Sequence, residues 1–239
     1  MLEPLPLSSY PLPVLPPTPS CTLCHLHTTA SHIGIPLHRS PLSLPPSPST
    51  PALLCIGQNP GYHEDKSGIP FIGPSGSLLH SVYLRGIHAF SLATIYFTNA
   101  ARCGPDPSPP TRCFKRCSPA LISDILHIAP LHSSPLFILT LGAPATTHTW
   151  SKLDPSPTTP TSMSLTESFH HQAFPSSIRS HPVLLFSTFH PSFVLRSHSQ
   201  IHAVQGHLQI LLDHLTQSAP RPSKPTIVPT RSPITPPTR

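Results

Sequence analysis

Four short runs of apolar residues stand out along the chain, and each is followed by a polar or glycine-bearing turn. They are Ala52–Gly57, Thr94–Thr98, Leu136–Leu141 and Val183–Thr188. The runs are continuous and do not alternate with polar residues, which is typical of strands buried on both faces of a parallel sheet. The pattern therefore predicts four strands at the centre of a domain.

Segments with helical periodicity lie between these runs. The clearest follows the last run, where apolar residues from Ile201 to Leu215 form a stripe with a period of about 3.6 residues. Strands that alternate with helices predict an α/β domain of three layers, α/β/α, with a short, mostly parallel, four-stranded sheet. Ligands of such sheets bind beyond the carboxyl ends of the strands.

Proline marks the margins of the predicted domain. The chain has 37 prolines among 239 residues, and they crowd at both ends. Such stretches bury too little apolar surface to offset the entropy lost on ordering, so we expect disordered tails over residues 1–20 and 217–239. The domain is then expected over residues 21–216, with a mobile loop at 155–177 where proline and serine crowd again.

Charge and cysteine content narrow the class of protein. Only 9% of the residues are charged, and the net charge is +6, a mild excess that suits a polyanionic partner. The sequence predicts neither a membrane span nor an export signal, because prolines and polar residues interrupt its apolar stretches. Six cysteines in a chain of this kind indicate metal or redox chemistry rather than disulfides.

Unusual polar and aromatic residues follow the predicted strands. The first run leads into Gln58-Asn59-Pro60-Gly61, a tight turn in which the Asn59 amide is suited to holding a water or a sugar. Phe71 lies in the glycine-spaced loop that follows, where a ring either stacks on a planar ligand or fills the core. Asn99 and His190 stand at the ends of the second and fourth runs. Taken alone, each of these residues is more often structural than catalytic.

Considered together, the segments that follow the predicted strands favour a catalytic over a structural role for these residues. Four motifs occur in order between Gly57 and Arg196. They are Gly-x-x-Pro-Gly, Gly-x-Pro-Phe-x-Gly-x-x-Gly, Thr-Asn and His-Pro-Ser-Phe-Val-Leu-Arg. This arrangement resembles the uracil-DNA glycosylase superfamily, most closely its family 4 branch, from Cys21 to about Leu215. The resemblance implies a repair enzyme that hydrolyses the N-glycosidic bond of a uracil flipped out of single- or double-stranded DNA. We expect a monomer without a membrane partner, cytoplasmic and close to the nucleoid if the source is a prokaryote.

The resemblance also implies roles for individual residues. Phe71 stacks on uracil, Asn99 reads its polar edge, and Gln58 belongs to the same substrate-binding group. His190 forms a hydrogen bond to O2 of the uracil, and Asn59 positions the attacking water. The residues expected to contact DNA are Ser192, Val194, Leu195 and Arg196, with Val194-Leu195 as an apolar wedge and Arg102, Arg112, Lys115 and Arg116 as further phosphate contacts.

The chain departs from family 4 at one motif. That family usually has Gly-Glu-Ala-Pro-Gly where this chain has Gln58 and Asn59. Gly-x-Asn-Pro-Gly instead resembles the mismatch-specific and single-strand-selective branches, in which the asparagine positions water. The predicted fold is unaffected, whereas the rate and the preference among uracil, hypoxanthine and xanthine stay open.

The cysteines follow a spacing of their own. Cys21-x-x-Cys24 precedes the first strand, and Cys103 and Cys117 follow the second. By spacing alone, four such cysteines are most commonly a zinc site. The resemblance implies instead a 4Fe-4S cluster on Cys21, Cys24, Cys103 and Cys117, since such a cluster takes four thiolates. Cys113 is a spare thiol and the alternative to Cys117.

Two other functions stay open at this point. One is a catalytically weak iron–sulfur protein that recognises DNA damage, which the change at Gln58-Asn59 favours. The other is a zinc-stabilised nucleic-acid-binding module, which would leave the glycine-spaced loops without a purpose. The joint presence of Phe71, Asn99 and His190 favours the enzyme.

Overall fold

The computed structural model describes residues 6–155 and 172–219, which form a mixed sheet with helices on both faces. The strands are β1 (Leu12–Pro13), β2 (His38–Arg39), β3 (Ala52–Gly57), β4 (Thr94–Asn99), β5 (Leu136–Leu141), β6 (Asp154–Pro155), β7 (Phe174–Ile178) and β8 (His181–Thr188). The helices are α1 (Tyr62–Ser67), α2 (Pro74–Leu78, continued as a π-helix over Leu79–Leu84), α3 (Ala89–Leu92), α4 (Thr111–Ile128), α5 (Ala143–Trp150), α6 (Pro191–Arg196) and α7 (Ile201–Ser218). Short 3-10 helices lie at Leu7–Ser9, His25–Thr28, Ala129–Leu131 and His198–Gln200.

The four apolar runs form the parallel centre of the sheet, as the sequence predicts. The strand order is β1-β2-β4-β3-β5-β8-β7-β6, and the pairs β3–β4, β3–β5 and β5–β8 are parallel. Every residue of β3, β4 and β5 is buried, which explains why these runs are apolar along their whole length. Successive residues serve opposite faces, so Leu54 packs on one side of the sheet and Leu53 on the other.

Helices cover both faces, which confirms the three-layer α/β/α prediction. Leu121 and Ile125 of α4 belong to the apolar cluster on one face. Leu79 of the π-helix and Leu211 of α7 belong to the cluster on the other face, and Leu211 is part of the stripe that predicts the last helix. None of the helices in the described ranges is both long and apolar enough to cross a membrane.

The number of strands differs from the prediction, because four short antiparallel strands extend the sheet to eight among the described residues. β2 and β1 add to β4 at one edge, and β7 and β6 add to β8 at the other. Three of these strands have two residues each, too few to show a period. β7 falls in the segment predicted as a mobile loop, and the part of that loop at residues 156–171 lies outside the described residues.

Residues 6–20 lie along the edge of the sheet, where the proline content predicts a disordered tail. β1 pairs with β2, and the N–H of Val14 donates to the carbonyl of Leu37 at 2.8 Å. Proline is tolerated here because an edge strand has one side on which no N–H needs a partner. The rest of the two predicted tails, residues 1–5 and 220–239, lies outside the described residues.

The π-helix buries the ring of one histidine between two phenylalanines. His80 is 2% exposed, and its ring lies beside those of Phe90 and Phe97, with centroids 5.9 and 4.9 Å away. Within the described part of the chain, neither ring nitrogen has a hydrogen-bond partner. Burial, and then the positive charge of Arg85, lowers the pKa of His80 to about 4. The folded protein therefore holds this ring neutral.

We expect His80→Leu to make the fold less sensitive to acid. Because the pKa of His80 is depressed in the folded state, the unfolded chain takes up a proton that the folded chain refuses once the pH falls below about 6.5. The neutral, buried His80 thus contributes its full share to the free energy of unfolding above about pH 6.5, the pKa of histidine in the unfolded chain. That share is lost as the pH falls toward the lower pKa of His80 in the folded protein. Between pH 7 and pH 5 the free energy of unfolding should fall by about 2 kcal/mol less in the variant.

Urea denaturation at the two pH values measures this difference. His202→Leu, on the exposed side of α7, is the matched control and should retain the acid dependence of the parent. An identical loss of stability in His80→Leu and the parent would contradict the assignment of His80 as a buried neutral group.

Candidate functional site

A cavity of about 850 Å³ lies where the parallel strands end. The segments that follow β3, β4, β5 and β8 form its walls, at the edge of the sheet where this fold class places ligands. Of the residues that the sequence predicts for substrate and DNA, seven line this cavity: Gln58, Asn59, Phe71, Asn99, His190, Ser192 and Arg196. The structure thus brings together segments that are far apart in the chain.

Two glycines fix the position of Phe71. A Cβ at Gly57 would lie 2.8 Å from Cζ of Phe71 and 2.4 Å from Oδ1 of Asn99, so the ring and the amide approach this strand end too closely for any side chain. A Cβ at Gly76 would lie 1.9 Å from the carbonyl oxygen of Phe71. Phe71 itself has a φ of 57°, a left-handed conformation that costs energy for a non-glycine residue. Such residues persist where the surroundings hold them, often at ligand sites.

Hydrogen bonds fix the orientation of the Asn59 amide. Its Nδ2 donates to the carbonyl oxygen of Asp106 at 2.9 Å and to that of Pro60 at 3.2 Å. Because the amide nitrogen uses its two donors on the protein, Oδ1 is the atom that this amide offers as an acceptor. The second amide of the cavity, Asn99, is buried at the end of β4 and offers a donor and an acceptor side by side.

His190 precedes α6, and the start of that helix determines its tautomer. The backbone N–H of Ser192 donates to Nδ1 at 3.1 Å, so Nδ1 is an acceptor and the neutral ring carries its proton on Nε2. The hydroxyl of Ser192 lies 2.7 Å from the same nitrogen. Burial, and then the positive charge of Arg196, lowers the pKa of His190 to about 4. At neutral pH this ring is an uncharged hydrogen-bond donor.

Two carboxylates of the cavity are missing from the sequence predictions. Glu64 is buried, and its Oε1 accepts a hydrogen bond from the N–H of Gly73 at 2.8 Å. Its Oε2 lies against Gly61, so this carboxylate joins the two glycine-bearing loops. Asp106 also lines the cavity, and its Oδ1 accepts from the N–H of Ser108 at 2.8 Å. One feature of the sequence could have indicated these two carboxylates: the chain has only eight acidic residues, so each one is conspicuous.

Helix α6 does not present the predicted wedge. Val194 is 2% exposed and Leu195 is partly buried, and both pack into the apolar cluster under the helix. The exposed apolar residue of this helix is Phe193, which is 39% exposed and lines the cavity. Neighbouring residues of a helix point in different directions, and only the docking of the helix reveals which of them faces inward. The two residues of the expected Val194-Leu195 wedge thus pack against the core. Phe193 is the exposed apolar residue of this helix.

Arg102 lies in the interior and not on a DNA-binding surface. Its guanidinium pairs with the carboxylate of Asp124, and the Thr98 hydroxyl donates to the other oxygen of that carboxylate at 2.7 Å. Moving Arg102 out to a phosphate would leave a buried carboxylate without a counter-charge, which is strongly unfavourable. The expected phosphate contact of Arg102 is therefore wrong. The remaining basic residues of that prediction on α4, namely Arg112, Lys115 and Arg116, are exposed.

Four of the cysteines are the predicted metal ligands, and a fifth, Cys113, lies near two of them, Cys24 and Cys117. Cys21 and Cys24 belong to the N-terminal segment, Cys103 follows β4, and Cys113 and Cys117 lie one turn apart on α4. Burial raises the pKa of Cys103 to about 11, and the nearby thiolates of the other three predicted ligands add to the rise. The N–H of Gly34 opposes it by donating to the Cys103 sulfur at 3.3 Å. Within residues 6–155 and 172–219, no three His, Cys, Asp or Glu residues are arranged to hold a metal ion.

Known proteins match the chain over most of the candidate domain. Residues 46–216 match the family described as the uracil DNA glycosylase superfamily. The type-4 uracil-DNA glycosylases of Saccharolobus solfataricus and Sulfurisphaera tokodaii are 29% and 27% identical to this chain over 145 residues, or 60% of it. These alignments cover 62% and 60% of the two relatives, so the chain spans about three fifths of their length. The type-4 uracil-DNA glycosylase of Thermotoga maritima is 26% identical over 189 residues, which are 75% of this chain and 80% of the relative.

Proposed function

Because the chain belongs to the uracil-DNA glycosylase superfamily, we propose that it excises uracil from DNA by hydrolysing the N-glycosidic bond, which opens base excision repair. The observation that carries this proposal is the neutral ring of His190, which keeps a proton on Nε2 and lines the same cavity as Phe71 and Asn99. This set of groups suits a planar base that becomes anionic as it leaves.

The base has to leave the DNA stack before it can enter the cavity. Unstacking costs a few kcal/mol, and stacking on an aromatic ring offsets about 1–3 kcal/mol of it. Phe71 supplies this ring in a position that its contact with Gly76 fixes in advance. Asn99 donates to O4 of uracil and accepts from its N3–H, whereas cytosine offers the opposite pattern of donor and acceptor.

In the reaction, the bond between N1 of uracil and C1′ of deoxyribose breaks, and its electron pair leaves with the base. Negative charge then develops on uracil, chiefly at O2, where Nε2–H of His190 donates a hydrogen bond. One donor preplaced in this way is typically worth about 3–4 kcal/mol. His190 remains neutral and protonated on Nε2, because Nδ1 keeps its hydrogen bond from the Ser192 N–H.

A water completes the hydrolysis by bonding to C1′, which has oxocarbenium character as the base departs. Oδ1 of Asn59 accepts a hydrogen bond from this water and turns a lone pair toward the sugar. The proton that the water loses neutralises the released uracil anion through solvent. We assign Glu64 a structural role instead, because its Oε1 accepts from the N–H of Gly73 and its Oε2 lies beside Gly61.

The test is direct incubation with matched oligonucleotides that contain one uracil, single-stranded and paired with adenine or guanine. Alkali then cleaves the strand at each abasic site, so strand breaks report excision. The same assay with hypoxanthine or xanthine at the target position compares the excision rates of the three bases. Tight binding of uracil DNA without strand breaks would favour the damage-recognition alternative and overturn the glycosylase proposal.

We also propose that Cys21, Cys24, Cys103 and Cys117 hold a 4Fe-4S cluster. The donor set fits this group, because the thiols come together from three segments: Cys21, Cys24 and Cys117 all lie close enough to raise the pKa of Cys103. Cys24, Cys103 and Cys117 also share one apolar part of the core. Such a cluster would be held by four thiolates, one from each of these cysteines.

The role proposed for the cluster is structural. Once bound, it would cross-link the N-terminal segment to α4 and to the loop that precedes this helix. That loop carries Asp106, whose main-chain carbonyl orients Asn59 and whose carboxylate lies 3.9 Å from Nε2 of His25. His25 also lies next to Cys24 in the chain. The cross-link would therefore hold in place the loop whose Asp106 carbonyl orients Asn59.

Cys24→Ala and Cys117→Ala are expected to lower iron content, yield and thermal stability together. Cys55→Ala is the matched control, because Cys55 is fully buried in β3 and its truncation leaves a cavity without touching the proposed ligands. This control should lose stability but retain iron, and Cys113→Ala should retain iron if this thiol is spare. Metal analysis and thermal unfolding provide the readouts. Zinc in place of iron, or iron-free protein of equal stability, would contradict the cluster.

A further inference from the structure

Two aromatic rings in the segments that form the cavity wall are exposed to solvent. Among the residues that the structure describes, Tyr62 and Phe193 are the aromatic members of the exposed large hydrophobic residues, at 63% and 39% exposure. Phe193 lines the cavity, and Tyr62 directly follows Gly61, which also lines it. Phe193 thus lies at the site where the base would enter, and Tyr62 belongs to a segment whose residues Gly61 and Glu64 line that site. Both rings stay exposed although burial elsewhere would have been favourable for them.

Each ring has a cation one helical turn farther along its own helix. On α1, Nζ of Lys66 lies 5.8 Å from the centroid of the Tyr62 ring and donates to the Ser31 hydroxyl at 2.9 Å. On α6, the exposed Arg196 follows Phe193 by three residues and lines the cavity. Phe189 packs against the Phe193 ring at 5.3 Å.

The acidic side chains of α1 do not compete for an anionic partner beside these rings. Glu64 and Asp65 are both buried. The N–H of Gly73 donates to Oε1 of Glu64, and the N–H groups of Ser31 and His32 donate to the carboxylate of Asp65. Among the described residues, the one other carboxylate of the cavity lining, Asp106, accepts from the N–H of Ser108 and lies 3.9 Å from Nε2 of His25. Flat apolar surfaces beside Lys66 and Arg196 are the combination with which proteins hold unpaired nucleic-acid strands.

We propose that Tyr62 and Phe193 are stacking platforms for the bases on either side of the target nucleotide in a single strand, with Lys66 and Arg196 on the adjacent phosphates. This rests on the proposed function and adds a strand preference to it. In a duplex, the neighbouring base pairs already cover the faces of the flanking bases. In a single strand these faces are open, so the two platforms favour unpaired DNA.

Each of the two rings should contribute measurably to the affinity for single-stranded DNA. Stacking of one base on an aromatic side chain changes affinity by about 5- to 150-fold. Tyr62→Ala and Phe193→Ala should each weaken single-strand binding within that range, whereas Tyr62→Phe and Phe193→Tyr should stay close to the parent. Lys66→Gln should reduce the slope of log affinity against log salt on single strands by about 0.7, the share of one phosphate contact.

The experiment measures binding by fluorescence anisotropy, with the full chain and labelled DNA that cannot be cleaved. The probes are a single strand with 2′-fluoro-2′-deoxyuridine at the target position, the same strand in a duplex, and a single strand with thymine in place of the analogue. Leu131→Ala, an exposed residue outside the cavity, is the control for surface truncation. Thermal unfolding of each variant verifies that it is folded.

The expected result is a larger loss on both single strands than on the duplex for each alanine variant, with recovery in the aromatic variants. Equal losses on single strand and duplex would overturn the proposal, as would unchanged single-strand affinity. A loss at Phe193 alone, mainly on the duplex, would make that ring a wedge and also overturn it. Because the thymine strand needs no excision, the platforms can be upheld even if no uracil is released, and the two proposals fail separately.

Discussion

His190→Ala is expected to slow single-turnover excision of uracil by about 10²–10³, while the affinity for DNA changes little. The reason is that the hydrogen bond from Nε2 to O2 strengthens only as charge develops on the leaving base. Its loss therefore raises the barrier without weakening the ground-state complex. The rate is measured with enzyme in excess over a uracil oligonucleotide, and the affinity with the uncleavable analogue.

Ser192→Ala is the matched control for this variant. It removes the hydroxyl beside Nδ1 of His190 but keeps the backbone N–H that fixes the tautomer. We therefore expect a loss well below that of His190→Ala. Between pH 8 and pH 5 the ionisation of His190 should leave the rate unchanged, because its pKa lies at about 4 and protonation would displace the Ser192 N–H. Wild-type rates in His190→Ala would exclude the proposed role.

Asn99→Asp is expected to abolish most uracil excision, by at least about 10², and to change base selectivity as well. A carboxylate loses the donor to O4 of uracil and places a negative charge against that oxygen. It can still accept from the exocyclic amine of cytosine, so a slight activity on cytosine is expected. Oδ1 of Asn99 lies close to Gly57, where a Cβ would be only 2.4 Å away, so a side chain at position 57 would displace this group.

Excision from matched uracil and cytosine oligonucleotides compares the two variants. His190→Ala should lose rate while its base preference is unchanged, whereas Asn99→Asp should alter the preference. If both variants excised uracil at the parental rate, the base would bind elsewhere and the roles of both residues would be refuted.

The central strands were predictable because burial on both faces leaves a continuous apolar run in the sequence. Leu136–Leu141 is such a run, and it forms β5 with the same bounds. The edge strands lack this signal. In β7 only Phe174 and Ile178 are apolar, and a proline and two serines lie between them. Its pairing depends on β8, which no local pattern reveals.

The location of the site was predictable for a geometric reason, since residues that follow parallel strands meet at one edge of the sheet. This places Asn59, Asn99 and His190 around one cavity, while their roles remain predictions. Side chains that depend on tertiary partners were not predictable. Arg102 is a surface cation by composition, and only Asp124, far along the chain on α4, turns it into a core residue.

The outermost strands have a consequence for the behaviour of the protein at high concentration. Within the described residues, β1 and β6 close the two edges of the sheet, each with two residues and each with a proline. A strand from another molecule can join an edge only through a row of free N–H and C=O groups, and proline supplies no N–H. Pro13 and Pro155 thus shorten the row on which edge-to-edge aggregation would begin. A proline content that by composition suggests disorder protects both ends of this sheet from self-association.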